Sequence, residues 1–352
     1  MVWGKRGVLV LLLGVGALAF LGCEWIEDFT DERVKEEPRK EETKEEKQLE
    51  QKKKEEGFEP LQVGIIFSPS GLNDLSVNDF AYRGIQEAQE NLGIEWDYKQ
   101  PEDAGDYEAG IQSFAQEEKD LVIGVCASME ASMVEAAQAY PDADFALIYS
   151  IGESSWDTEY GTAFNEERPE NMVAVDFARH EAAFLAGALA AMATETGVIG
   201  FVGGDEMGWV NRLEKGYRQG AKYVNDRIVV VSEHVEDFDA PALGREAAES
   251  LINRGTDIAF GAAGDTSVGV FETFQAYNFS GITSDSSHNW VSPGHLITAT
   301  IDRIDTAIYE VIEKRIEEKL NGGEKIYFDL ESGGVEISSL SKLTWWEEKA
   351  AE

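Results

Sequence analysis

Histidine and cysteine are scarce in this chain, with four and two residues among 352. Two cysteines cannot build the disulfide framework of a small secreted domain. His180, His234, His288 and His295 show no zinc spacing such as H-E-x-x-H, and no G-x-S-x-G nucleophile elbow occurs. Basic side chains are also few: 30 Lys and Arg stand against 68 Asp and Glu, a formal charge of −38. Phosphate binding needs clustered Lys and Arg, so nucleic acid is not an expected partner. The acid excess suits a protein working in high salt, where the Debye length falls to ~3 Å at 1 M and self-repulsion is screened. These absences leave no metal and no cofactor to expect, and the chain does not read as an enzyme.

One apolar run stands out. Lys5 and Arg6 precede fourteen apolar residues, Val8 to Leu21, and Gly22 and Cys23 close the segment. Fourteen is short of the ~20 residues a spanning helix needs, and the order of parts is that of an export signal. It resembles a lipoprotein signal, 1–22, in which Cys23 becomes the lipid attachment point. That places the rest of the chain in the cell envelope, anchored outside the cytoplasmic membrane or in the periplasm. Residues 23–60 are nearly all Glu, Lys, Arg, Asp and Gln, with too few apolar side chains to offset ordering, and read as a charged stalk. Cys126 then has no partner for a disulfide and falls at the end of an apolar run, as a core or pocket-wall residue.

From residue 61 onward, short apolar runs alternate with amphipathic stretches. Strands are expected at 61–68, 94–99, 120–125, 144–149, 172–177, 198–203, 228–233, 257–262, 279–283 and 296–301. Helices are expected between them, for example at 78–91, 129–139, 179–194, 210–225, 241–253 and 267–275. Such alternation implies βαβ units with parallel sheets. About ten strands are too many for one sheet of ~5–6, so the fold class is α/β with two doubly wound lobes and a cleft between them. The lobes are expected to be 61–173 plus about 284–320, and 174–283 plus about 321–342.

Ligands of open α/β sheets bind beyond the carboxyl ends of the strands. Those ends here are rich in Gly, Ser, Asp and Asn: SPSGLNDLS (68–76), CASME (126–130), SIGESSW (150–156), GGDEMGW (203–209), AAGDTSVG (262–269) and TSDSSHNW (283–290). GFVGGDEMG lacks the Lys-Ser/Thr of a phosphate loop, and Asp205 and Asp265 stand where an anion would sit. These loops suit ligands bearing hydroxyls or amines. Phe80, Phe177 and Trp209, at or just after strand ends, are the aromatics placed to stack on a flat ligand.

Several stretches match a known pattern. GLNDLSVNDFAYRGIQEA resembles the G-x-x-D-x-S-F-N…G…A opening of the basic membrane protein family, lipoprotein substrate-binding components of ABC importers. AQAYPDADFALI, EAAFLAGALAAMAT, GVIGFVGGDEMGWVNRLEKGYRQGAKYV and DIAFGAAGDTSVGV resemble further family segments, in order, from about 62 to 335. The resemblance implies a type I periplasmic-binding-protein fold, closure of two lobes on one small ligand, and delivery to a permease driven by an ATPase. Its best-understood branch implies a purine nucleoside. Carried onto this chain, Asp74, Ser76 and Asn78 match the first motif, with Asn73 beside them, and Gly204 and Gly264 match the glycine turns. The chain departs from the pattern in four places. Val77 replaces the aromatic of S-F-N; Thr283 and Ser287 replace Asp and Gln of G-V-D-S-D-Q, with Asp285 kept; Asp302 stands where T-S-x-x-K has Lys; Gly208 and Trp209 stand where Pro is usual. Asp265, Thr283, Asp285 and Asp302 complete the expected ligand-contacting set. Lys to Asp changes the local charge by two units. A different small polar or cationic ligand is therefore a second reading, and a sensing surface lipoprotein without transport is a third.

Overall fold

The computed structural model describes residues 59–74, 76–149, 169–204, 208–284 and 291–338. The chain divides into a unit of Met1–Glu59 and a unit of Pro60–Glu352, and every described element lies in the second. The expected signal, Cys23 and the stalk up to residue 58 lie outside the described residues, as do Asp205, Asp285, Ser287 and His288. Among the described residues no helix is long and apolar enough to cross a membrane.

The first sheet contains β1 (Gln62–Ile66), β2 (Glu95–Lys99), β3 (Leu121–Gly124), β4 (Asp144–Ile148), β5 (Met172–Phe177) and β11 (Lys325–Phe328), in the order β2-β1-β3-β4-β5-β11, all parallel. The second contains β6 (Val198–Gly203), β7 (Val229–His234), β8 (Ile258–Ala262), β9 (Ser280–Thr283), β10 (Leu296–Asp302) and β12 (Val335–Ile337). Its order, β7-β6-β8-β9-β10-β12, repeats that of the first, except that β12 is antiparallel. The central strands are buried on both faces, which is why they read as continuous apolar runs rather than alternating ones.

Helices α1 (Val77–Leu92), α2 (Tyr107–Gln116) and α3 (Glu130–Ala139) belong to the first lobe. Helices α4 (Arg179–Ala193), α5 (Gly208–Val224), α6 (Pro241–Asn253) and α7 (Thr266–Ala276) belong to the second. Helix α8 (Ile304–Ile316) returns to the first, where Ile304, Ile308 and Ile312 join the core of Ile65, Ile85 and Val175. Helices α4 and α5 make the most extensive helix–helix contact among the described residues. Their backbones meet through glycine: a Cβ on Gly216 would strike the His180 carbonyl, and one on Gly220 the Phe184 carbonyl.

All ten expected strands are present, and β11 and β12 add to them. The chain passes between sheets three times: from β5 to α4 at Ala178, from β10 to α8 at Arg303, and from β11 to β12 across 329–334. These passages differ from the expected lobe limits. β5 lies wholly in the first sheet, so the passage follows 177 rather than 173. β10 pairs with β9, which puts 296–302 in the second lobe, and β11 pairs with β5, which puts 325–328 in the first. Each passage occupies a strand-end loop of ordinary composition, so hydrophobic periodicity does not mark the change of sheet.

Candidate functional site

In a 2-1-3-4-5 strand order the sequence of strands reverses between β1 and β3, and between β6 and β8 in the second sheet. The loops after these four strands are 68–76, 126–130, 203–209 and 262–269.

The first loop is held from within. Asn78 is fully buried: its Oδ1 accepts the Ser68 N–H at 2.9 Å, and its Nδ2 donates to Ser68 Oγ at 2.9 Å, Ser70 Oγ at 3.1 Å and the Gly71 carbonyl at 2.9 Å. Asp74 caps α1: Oδ1 accepts Ser76 N–H at 2.9 Å and Asp79 N–H at 3.2 Å, and Oδ2 accepts Asn78 N–H at 3.0 Å. Asn73 adopts φ +71°, which Asn tolerates, and donates its N–H to Asp79 Oδ1 at 2.7 Å. Asn78 was expected to touch ligand; the structure buries it beneath the loop, where the loop's own polar groups engage both ends of its amide. Asn73 is exposed and Asp74 half-buried, so these two remain at the loop surface. Asn78→Ala should destabilise the fold by about 3 kcal/mol, because it strands the Ser68 N–H and the Gly71 carbonyl. Asn78→Asp should fare no better, since a carboxylate cannot donate to three oxygens. Denaturant midpoints of both variants check this.

The glycine turns are also spoken for. Phe238, which follows β7, lies against both: a Cβ on Gly204 would run into its ring, and one on Gly264 (φ +52°) would lie 2.8 Å from its carbonyl oxygen. Trp209, in the first turn of α5, stacks on Phe238 with centroids 5.8 Å apart and planes at 23°. Thr266 Oγ1 ties this segment down, accepting from Ala240 N–H at 2.8 Å and donating to the Asp237 carbonyl at 3.0 Å. The expected glycines thus build the seat of an aromatic pair. Phe238 was missed because it follows an edge strand, not one of the strand ends beside the order reversal.

Phe177, expected as a stacking aromatic, is 3% exposed and packs in the core between the rings of Tyr149 at 5.2 Å and Phe328 at 5.7 Å. Phe80 is half-buried with the Arg83 guanidinium 4.0 Å from its ring centre. Asp265 is exposed at the start of α7. Thr283 is fully buried at the end of β9, and its hydroxyl has no hydrogen-bond partner among the described residues.

The two lobes meet around Asp302 and Arg179. Asp302 ends β10 at one passage, and Arg179 opens α4 just after another. Arg179 Nε donates to Asp302 Oδ2 at 2.8 Å, and Tyr149 Oη donates to the same oxygen at 3.0 Å. The guanidinium lies 4.2 Å from the ring centre of Tyr149, from the first lobe, and 5.5 Å from that of Trp209, from the second. Tyr149 holds φ +65°, a region L-residues with bulky side chains rarely adopt. A second ion pair, Lys325 to Asp176 at 2.9 Å, flanks the first. Burial pushes the Asp302 carboxyl above its ordinary range, against the pull of Arg179 and the Tyr149 hydroxyl. Burial also opposes the Arg179 charge, but Asp302, Tyr149 and Asp176 outweigh it and hold the guanidinium protonated. The result is a run of alternating charges, Lys325, Asp176, Arg179 and Asp302, that sums to zero where the chain crosses between lobes. Tyr149 and Arg179 were not expected here, because contacts spanning 153 and 123 residues leave no local mark in one sequence.

The family model described as "Bmp: ABC transporter substrate-binding protein PnrA-like" matches residues 61–349. The chain belongs to this family. It is 28% identical over 298 residues to the ABC transporter nucleoside-binding protein BmpA of Lactococcus lactis, covering 79% of this chain and 81% of that one. It is 30% identical over 306 residues to an uncharacterized lipoprotein of Pyrococcus abyssi, covering 83% and 72%. Among solved structures, an ABC transporter solute-binding protein from Aeropyrum pernix superposes with a TM-score of 0.64 at 27% identity, covering 83% of this chain and 80% of that chain. The family is one of solute-binding proteins rather than enzymes. Substrate-binding proteins of ABC transporters bind small molecules and work with permease and ATPase subunits.

Proposed function

We propose that the protein is an extracytoplasmic receptor, lipid-anchored through Cys23, that binds a purine nucleoside and presents it to an ABC permease and its ATPase. One observation carries the ligand reading: an aromatic from each lobe, Tyr149 and Trp209, flanks Arg179 beside the Asp302 carboxylate. A flat base can stack on such faces, and a carboxylate accepts from ribose hydroxyls. The name of the Lactococcus lactis relative points the same way. A cationic ligand was the reading that an extra carboxylate at 302 favoured. Arg179 already compensates that carboxylate, which favours the neutral nucleoside. Asn73 and Asp74 at the surface of the first loop supply further polar contacts.

Closure follows from the three passages. Contacts from both lobes to one ligand exist only in the closed form, so ligand shifts the population toward it. A thermal-shift screen of adenosine, guanosine, inosine, uridine and free ribose tests the ligand class. At a 1,000-fold excess over Kd, a bound purine nucleoside should add about 4 kcal/mol of stability, a clear rise in melting temperature. No response to any nucleoside would remove the ligand class and leave the family standing.

A further inference from the structure

We propose a second small-molecule site, away from the loops beside the two strand-order reversals, that takes an amphipathic carboxylate: an anionic head on an apolar body. A pocket of about 370 Å³ opens between the first two turns of α4, one face of α5 and the third passage between the lobes. His180 and Phe184 come from α4, Arg212, Lys215 and Gln219 from α5, and Leu330 from the passage. A concave volume of this size, mostly apolar in its walls with a few convergent polar groups, is typical of ligand sites rather than of flat contact surfaces.

The charge of the site is the unusual part. The chain carries 68 acidic side chains against 30 basic ones, and most of the described cations are tied to carboxylates, as Arg218 is to Glu214 on this same helix at 2.6 Å. Arg212 and Lys215, less than two turns earlier on α5, make no ion pair or hydrogen bond among the described residues. Glu181 also lines the pocket and keeps its negative charge, with Oε2 accepting the Leu330 N–H at 3.0 Å, so the lining has one cation in excess. Two bare cations above an apolar wall fit a carboxylate on a hydrocarbon or aromatic body. A guanidinium matches a carboxylate in fork geometry, and an ammonium adds a point charge. An inorganic anion would leave the Phe184 and Leu330 surfaces unused, and a neutral hydrocarbon would leave the cations unused. Because Leu330 belongs to a passage between lobes, an occupant would touch both the second lobe and the segment on which closure turns.

Octanoate and benzoate, with octan-1-ol as the neutral counterpart, are the probes, read by calorimetry and ligand-observed NMR on the full chain. Octanoate should bind saturably and octan-1-ol should not match it. The R212Q/K215Q double substitution, at side chains with no partner to strand among the described residues, should weaken octanoate by about tenfold or more. Leu330→Asp, which puts a carboxylate against the apolar wall, should weaken it as well. The proposal is overturned if octanoate shows no saturable binding up to about 10 mM, if octan-1-ol binds equally, or if R212Q/K215Q leaves the affinity unchanged. None of these outcomes depends on whether nucleosides bind.

Discussion

Gly220→Ala is expected to lower the melting temperature by about 10 °C. The added Cβ would meet the Phe184 carbonyl oxygen and lie 2.7 Å from its carbon and 3.0 Å from Ala188 N. These are backbone atoms of a neighbouring helix, so no side-chain rotamer can relieve the contact. Overpacking of a well-packed interior costs typically 1–3 kcal/mol, and rigid backbone puts this case at about 3. At about 3 °C per kcal/mol for a protein of this size, the shift follows. Gly110→Ala supplies the opposite expectation. Gly110 sits inside α2, and a Cβ there meets only ordinary contacts, at 3.6 Å to Lys99 and 4.0 Å to Ile66. Alanine should stabilise that helix by about 0.5–1 kcal/mol. Equal effects at the two positions would mean that the α4–α5 contact is looser than the structure shows.

The second large effect concerns the charges at the passages. Asp302→Lys, which installs the residue expected from the family pattern, should destabilise rather than repair. It would place an ammonium against Arg179, whose partner it removes. Breaking a buried pair costs about 3–5 kcal/mol, and with the Arg179 and Asp302 side chains 28% and 17% exposed the figure falls to about 2. Asp302→Lys combined with Arg179→Leu should recover much of that loss, because the new ammonium can then answer Asp176. Urea midpoints of the wild type, the single and the double variant decide this. If the double variant is no better than the single, Arg179 and Asp302 are not coupled as the 2.8 Å contact implies.

Much of the architecture was legible because the inner parallel strands are covered on both faces and leave short apolar runs, and all ten expected strands are present, the edge strands β2 and β7 included. β11 and β12 were not legible. They are four and three residues long, and β11 carries Lys325 and the half-exposed Tyr327 among its apolar positions. The expected lobe limits differ from the passages after 177, at 296–302 and at 325–328, because a one-residue passage such as Ala178 carries no turn signal. Family-pattern residues divide into two kinds. Gly216 and Gly220 are where α5 meets α4, and Gly204 and Gly264 seat Phe238, so each has a packing role in the fold. Asp74 and Asn78 mark a real loop, but most of their polar capacity goes to its shape. What a single sequence could not show is the meeting of Tyr149, Arg179, Trp209 and Asp302, drawn from four elements by the passages themselves.

Calorimetric titration of the protein with guanosine and adenosine, at two temperatures, is the most direct test of the central claim. One ligand per chain, micromolar affinity or ~8 kcal/mol, and a negative heat-capacity change from burying the base between aromatic faces are the predicted result. No saturable heat for either nucleoside at both temperatures would contradict it.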